Sequence, residues 1–132
     1  MSSSETAPRA LIAGHADIAG GLVSAVERIT GRGAALLVLD ATCLGVADTE
    51  AAIRERLDQF GLHVVFTDLQ AGSFTMAARR ALRGRSGALL VVGANLPMLL
   101  DFVLSDEGSP VDAARAAATK GREAILVVES AA

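Results

Sequence analysis

Ala10-Leu-Ile-Ala-Gly14-His15 is a short apolar run closed by a glycine and an imidazole, and behind it Ile18, Leu22, Val26 and Ile29 recur at helical spacing. A strand that feeds straight into an amphipathic helix is the repeating unit of a parallel sheet, whose strands need a helical crossover between them. Asp17 is placed to cap that first helix and Gly31-Arg-Gly33 to stop it.

The same unit recurs downstream. Ala34-Ala-Leu-Leu-Val-Leu39 reads as a second strand, and a helix near Asp48 to Phe60 follows, with Ala52, Ile53, Leu57 and Phe60 on its apolar face and Gly61 as C-cap. Leu62-His-Val-Val-Phe-Thr67 is a third strand, Ser73 to Leu82 a third helix, and Ser86-Gly-Ala-Leu-Leu-Val-Val92 a fourth strand. After it come a helix from about Leu96 to Leu104, a Ser109-Pro110 turn and a helix from about Val111 to Lys120. The last apolar run, Ala124-Ile-Leu-Val-Val128, fits a strand at the sheet edge. Continuous Val/Leu runs, rather than alternating ones, mark strands covered on both faces. The expected fold is therefore α/β and doubly wound: a mainly parallel sheet of four strands plus a C-terminal edge strand, with helices on both faces. Residues 1–8 read as a flexible tail and 9–132 as a single domain.

Composition narrows the function. A net charge of −3 gives no general attraction to nucleic acid or to an anionic membrane surface, and with no Trp, no Tyr and four Phe there is no platform for stacking bases. No apolar stretch approaches the roughly 20 residues that span a bilayer, and the N-terminal residues lack the pattern of a secretory signal, so no membrane insertion is expected. Cys43 is the single cysteine, which rules out an internal disulfide framework and fits a reducing, cytoplasmic setting.

Ligand sites in open parallel sheets lie beyond the carboxyl ends of the strands, where the strand order reverses. Three segments fall there: Gly14-His15, Asp68-Leu-Gln-Ala-Gly-Ser73 and Gly93-Ala-Asn-Leu-Pro-Met-Leu-Leu100. They are expected to converge as one active site. If the order begins two-one-three, His15 and Asp68 are neighbours. A carboxylate that accepts a hydrogen bond from one imidazole nitrogen fixes the tautomer and leaves the other nitrogen with its lone pair, which makes a nucleophile. Gly72 and Ser73 sit at the start of the third helix, where free N–H groups and the helix dipole favour an anion such as a phosphoryl group. Ser73 lacks a Gly-x-Ser-x-Gly elbow and so is no hydrolase nucleophile. Asn95 fits an N-cap. His63 begins a strand at the opposite sheet end and reads as structural. With two histidines at opposite ends and one cysteine, no metal site is suggested.

Gly14-His15, Leu22, Asp68-Leu-Gln-Ala-Gly72-Ser73, Asn95-Leu-Pro97-Met98-Leu99 and Thr119-Lys-Gly121-Arg122-Glu123 together resemble the mannose-class (mannose/fructose/sorbose) IIA domain of the bacterial phosphoenolpyruvate-dependent sugar phosphotransferase system. The resemblance runs from about Leu11 to the end, and Asn-Leu-Pro-Met-Leu is its most specific part. It implies a phosphoryl carrier: His15 accepts the group from the phosphocarrier HPr and passes it to a IIB-type partner, Asp68 orients His15, and no cofactor takes part. It also implies a homodimer in which residues 124–128 are exchanged between subunits. The family's Pro and Asn after the serine are Phe74 and Met76 in this chain. Two neighbouring functions share this pattern, a regulatory module controlled by its phosphorylation state and a phosphoryl donor to a dihydroxyacetone kinase.

Overall fold

β1 (Ala10–Ala13) is buried at every residue, because it lies in the interior of a four-stranded parallel sheet of order β2-β1-β3-β4. Its neighbours are β2 (Leu36–Val38) and β3 (Val64–Thr67), with β4 (Leu89–Val92) beyond β3. Ile12 stands opposite Val38 on one side and Phe66 on the other, and Phe66 in turn opposes Val91. The computed structural model describes residues 7–41, 44–105 and 108–131. Cys43 and most of the expected N-terminal tail, residues 1–6, lie outside the described residues.

Side chains alternate across the pleat, so each strand feeds two cores. Ala10, Ile12, Val64, Phe66 and Val91 face α1 (Ile18–Thr30), α4 (Leu96–Leu104) and α5 (Pro110–Glu123), while Leu11, Ala13 and Val65 face α2 (Val46–Phe60) and α3 (Ser73–Ala81). Helices cover both faces, as expected from the uninterrupted apolar strands. Phe66 and Phe102 meet edge to face at 5.1 Å in the first core, an arrangement that aromatic quadrupoles favour. Behind it α5 lies close on α4: a Cβ on Gly121 would stand 2.7 Å from Met98 Cβ, so only glycine permits this approach.

Several expectations change in detail. Ile18, Ile29 and Phe60 have the helical spacing of core residues but lie exposed near helix ends, where the buried stripe has already turned away from the sheet. Asp17 makes no side-chain cap bond. The first two residues of the expected second strand belong instead to a 3₁₀ turn, Gly33–Ala35. Asn95, by contrast, caps α4 by accepting from the Met98 N–H, with Pro97 just inside the helix.

The expected C-terminal edge strand is not formed within the chain. α5 runs on to Glu123, which leaves no turn residues to bring the apolar run back along β4. Ile125 to Val128 are 74–84% exposed, and the open side of β4 borders a groove of about 520 Å³ lined in part by Arg115, Thr119, Arg122 and Ile125. None of the helices is long and apolar enough to cross a membrane, among the described residues.

Candidate functional site

The order β2-β1-β3 reverses the direction of winding at β1, and the carboxyl ends of β1 and β3 are the two edges of the resulting crevice. Gly14 ends β1. A side chain at Gly14 would put its Cβ 2.7 Å from Ile18 Cγ2 and 3.0 Å from Asp68 Cγ, so the absence of one lets the β1 backbone pass against the carboxylate. The chain then turns sharply. Ala16 adopts φ +47°, a left-handed conformation that costs a non-glycine residue about 1–2 kcal/mol, and the Ile18 N–H closes the turn on the His15 carbonyl.

That turn sets His15 over Asp68, the first residue after β3. One carboxylate oxygen, Asp68 Oδ2, accepts both the His15 backbone N–H at 2.8 Å and the ring at Nδ1 at 2.9 Å. An ionised carboxylate only accepts, so Nδ1 carries the proton, and in the neutral ring the lone pair lies on Nε2. The imidazole is 49% exposed and the carboxylate 10%. Burial pushes the Asp68 pKa up, but the bonds from the His15 backbone N–H and ring, helped by Asp68's own N–H and by electrostatic attraction to the His15 ring, outweigh it. The group stays below its ordinary carboxylate value and is ionised at neutral pH. Its second oxygen, Oδ1, is buried without a partner among the described residues.

The segment after Asp68 is braced from beneath. The Thr75 hydroxyl donates to the Leu69 carbonyl at 2.7 Å, which leaves the buried Thr67 hydroxyl to donate to Thr75 Oγ1, also at 2.7 Å. Gly72 N–H bonds Leu69 O and closes the turn. Gly72 is the N-cap of α3 and lies against the imidazole, where an added Cβ would stand 2.6 Å from His15 Cε1. Ser73 opens the helix. The residue is exposed, its hydroxyl makes no hydrogen bond among the described residues, and the first-turn N–H groups beside it have no partner within the helix. The Phe74 ring meets the His15 ring edge to face, with centroids 5.4 Å apart and planes at 83°.

His15, Ser73 and Phe74 line a cleft of about 650 Å³ whose opposite wall is the segment after β2, with Asp40, Ala41 and Leu44. That wall and the Phe74 contact were not read from the sequence. Loop direction is a tertiary property, and the sequence signal at Phe74 was only its departure from the pattern of the resembling family. The third expected turn does not join the cleft. Asn95 donates through Nδ2 to the Gly121 carbonyl, which ties α4 to α5, and Gly93 and Asn95 line the separate groove along β4. His63 is exposed just before β3, at the far end of the sheet, with its carbonyl accepting the Leu89 N–H.

The site thus brings together an imidazole, a carboxylate bonded to its Nδ1 and a helix N-terminus beside it. Comparison with known proteins is consistent with this arrangement. The family described as EIIA-man, PTS system fructose IIA component, matches residues 9–119. The fold is similar to that of the mannose/sorbose-specific IIA subunit of the phosphotransferase system from Enterococcus faecalis, with a TM-score of 0.78 at 20% identity over 96% of this chain and 98% of that one. It is also similar to phosphotransferase system component EIIA from Streptococcus agalactiae, with a TM-score of 0.77 at 22% identity over 90% and 95%. No curated protein sequence matches the chain.

Proposed function

The chain belongs to the EIIA-man family of phosphotransferase system IIA components, and on that premise we propose that it is a cytoplasmic phosphoryl carrier with His15 as the acceptor. Its donor is the phosphohistidine of HPr and its acceptor a IIB-type protein, in sugar uptake or its regulation. The observation that carries this reading is the 2.9 Å contact between Asp68 Oδ2 and His15 Nδ1, which leaves Nε2 free to attack.

In the proposed step the Nε2 lone pair forms a bond to phosphorus in line with the breaking N–P bond of the donor, whose imidazole leaves with the electron pair. The proton on Nδ1 stays in place. His15 becomes a positively charged phosphoimidazole ring, and the ionised Asp68 balances that charge. The Ser73 hydroxyl and the N–H groups at the start of α3, next to Gly72, supply donors to the phosphoryl oxygens. Transfer to the next protein reverses the same movements, so no metal or organic cofactor enters the step.

Intact mass after incubation with phosphoenolpyruvate, enzyme I and HPr tests the proposal. The wild type is expected to gain one acid-labile phosphoryl group. Asp68→Asn keeps an oxygen acceptor for the two His15 donors but loses the charge, and it is expected to slow phosphorylation by roughly 10–100-fold, the usual cost of removing a partner that orients a histidine. A wild type that stays unmodified beside phosphorylated HPr would overturn the carrier reading in favour of an unphosphorylated binding module. An unchanged rate in Asp68→Asn would reduce Asp68 to a turn residue.

The open edge of β4 and the exposed segment Ile125 to Val128 further support a homodimer in which each chain lends this segment to the other's sheet. Light scattering is expected to give a particle of twice 13.5 kDa. A chain ending at Glu123 should run as a monomer, and a full chain that is monomeric at all concentrations would refute the exchange.

A further inference from the structure

A hydrogen bond at Nδ1 holds the imidazole at one atom, and the side chain's own Cβ holds it at another. Coupled rotation about Cα–Cβ and Cβ–Cγ rocks the ring while keeping that hydrogen bond, because a carboxylate oxygen accepts over a broad range of directions. Such rocking swings Nε2. Gly72 limits it on the Cε1 side, and on the exposed half of the imidazole solvent offers no resistance. A second contact is with Phe74, whose ring meets the imidazole at 83° and is itself packed against the core between the sheet and the α2–α3 layer. One end of this aromatic is fixed by the core and the other touches the nucleophile.

Local structure gives no reason for an aromatic there. Phe74 is the second residue of α3, and phenylalanine is a middling helix former with no capping group. Its ring is also only half buried, so the core does not claim all of it. We infer that Phe74 is a positioning residue for His15: its ring fixes the imidazole plane that the Asp68 hydrogen bond leaves free, and so sets the direction of the Nε2 lone pair. The inference rests on the reading of His15 as phosphoryl acceptor.

Phe74→Leu retains an apolar side chain for the core but removes the ring, and Phe74→Tyr restores it. Phosphoryl acceptance is measured at increasing phospho-HPr, together with the chemical shifts and relaxation of the His15 ring protons in the unmodified protein. The leucine variant is expected to lose three- to tenfold in maximal rate, the range that one edge-to-face aromatic pair can supply. Its half-saturation should stay unchanged, its His15 ring signals should shift as the ring current is lost, and the tyrosine variant should recover both rate and shifts. A wild-type rate in the leucine variant overturns the inference. So does a raised half-saturation at unchanged maximal rate, which would make Phe74 a docking contact. If the wild type accepts no phosphoryl group, the acceptor reading fails by itself, and the His15 ring relaxation still decides whether Phe74 restrains the imidazole.

Discussion

His15→Ala is expected to take up no phosphoryl group from phospho-HPr while keeping the wild-type fold. The chemical side follows from the histidine inventory: the chain has two, and His63 stands exposed at the opposite end of the sheet, away from Asp68 and the α3 N-terminus. The folding side follows from what the imidazole contributes. It is 49% exposed, and its loss removes one side-chain hydrogen bond and one ring contact. Asp68 Oδ2 still accepts the residue 15 N–H, so the carboxylate keeps a partner. The stability change should be within about 1 kcal/mol, the typical net worth of a single hydrogen bond. Intact mass and a thermal melt of the two proteins side by side check both halves. Phosphoryl uptake by the alanine variant would place the acceptor elsewhere and refute the site.

Gly72→Ala is expected to depress phosphorylation by about 100-fold or more while leaving the chain as stable as the wild type. The added methyl would stand 2.6 Å from His15 Cε1, well inside van der Waals contact, so either the imidazole or the turn must move. The imidazole is the softer of the two, since the turn is held by Thr75 and by the Gly72 N–H bond to Leu69. A displacement near 1 Å at a reacting group costs on the order of 10²-fold in rate. Gly72 itself has φ −81° and ψ 158°, which alanine adopts without strain. Replacing glycine narrows the unfolded ensemble by roughly 0.4–1 kcal/mol, which the poorer fit of alanine at this N-cap position offsets. The rate should therefore fall with the melting midpoint unchanged. A variant that phosphorylates normally would show that the close approach of Gly72 is unimportant to the ring.

The layer arrangement was legible because both of its signals are local. Val/Leu runs mark doubly covered strands, and the spacing of Ile53 and Leu57, or of Met98, Leu99 and Phe102, marks the buried side of a helix. Residue for residue, the sequence reading of α4 agrees with the structure, since Asn95 and Pro97 signal its start through specific backbone chemistry. Strand ends were less legible. Residues such as Ala34 and Leu62 extend an apolar run without joining the ladder, and which of them pair depends on the neighbouring strand. The His15–Asp68 pair followed from strand order and the carboxyl-end rule, not from the 53 residues that separate the two in sequence. What stayed hidden was set by side-chain direction across elements: the Asn95 amide turned toward Gly121, the wall after β2, and Phe74 leaning on the imidazole. The run after Glu123 shows a different limit. Four consecutive exposed apolar residues state that a segment needs a partner surface, but not on which molecule that surface lies.

The cleft at His15 and the groove along β4 share no lining residue: one is built from the ends of β1 and β2 with the starts of α1, α2 and α3, the other from β4, the start of α4 and α5. Two occupants of these places would not compete. Neither would impose a required order of arrival on the other, and titrating one should leave the affinity for the other unaltered unless the sheet itself carries a coupling free energy between them. If the groove takes up a partner's segment and the cleft holds the chemistry, substitutions on α5 should change the first without altering the second.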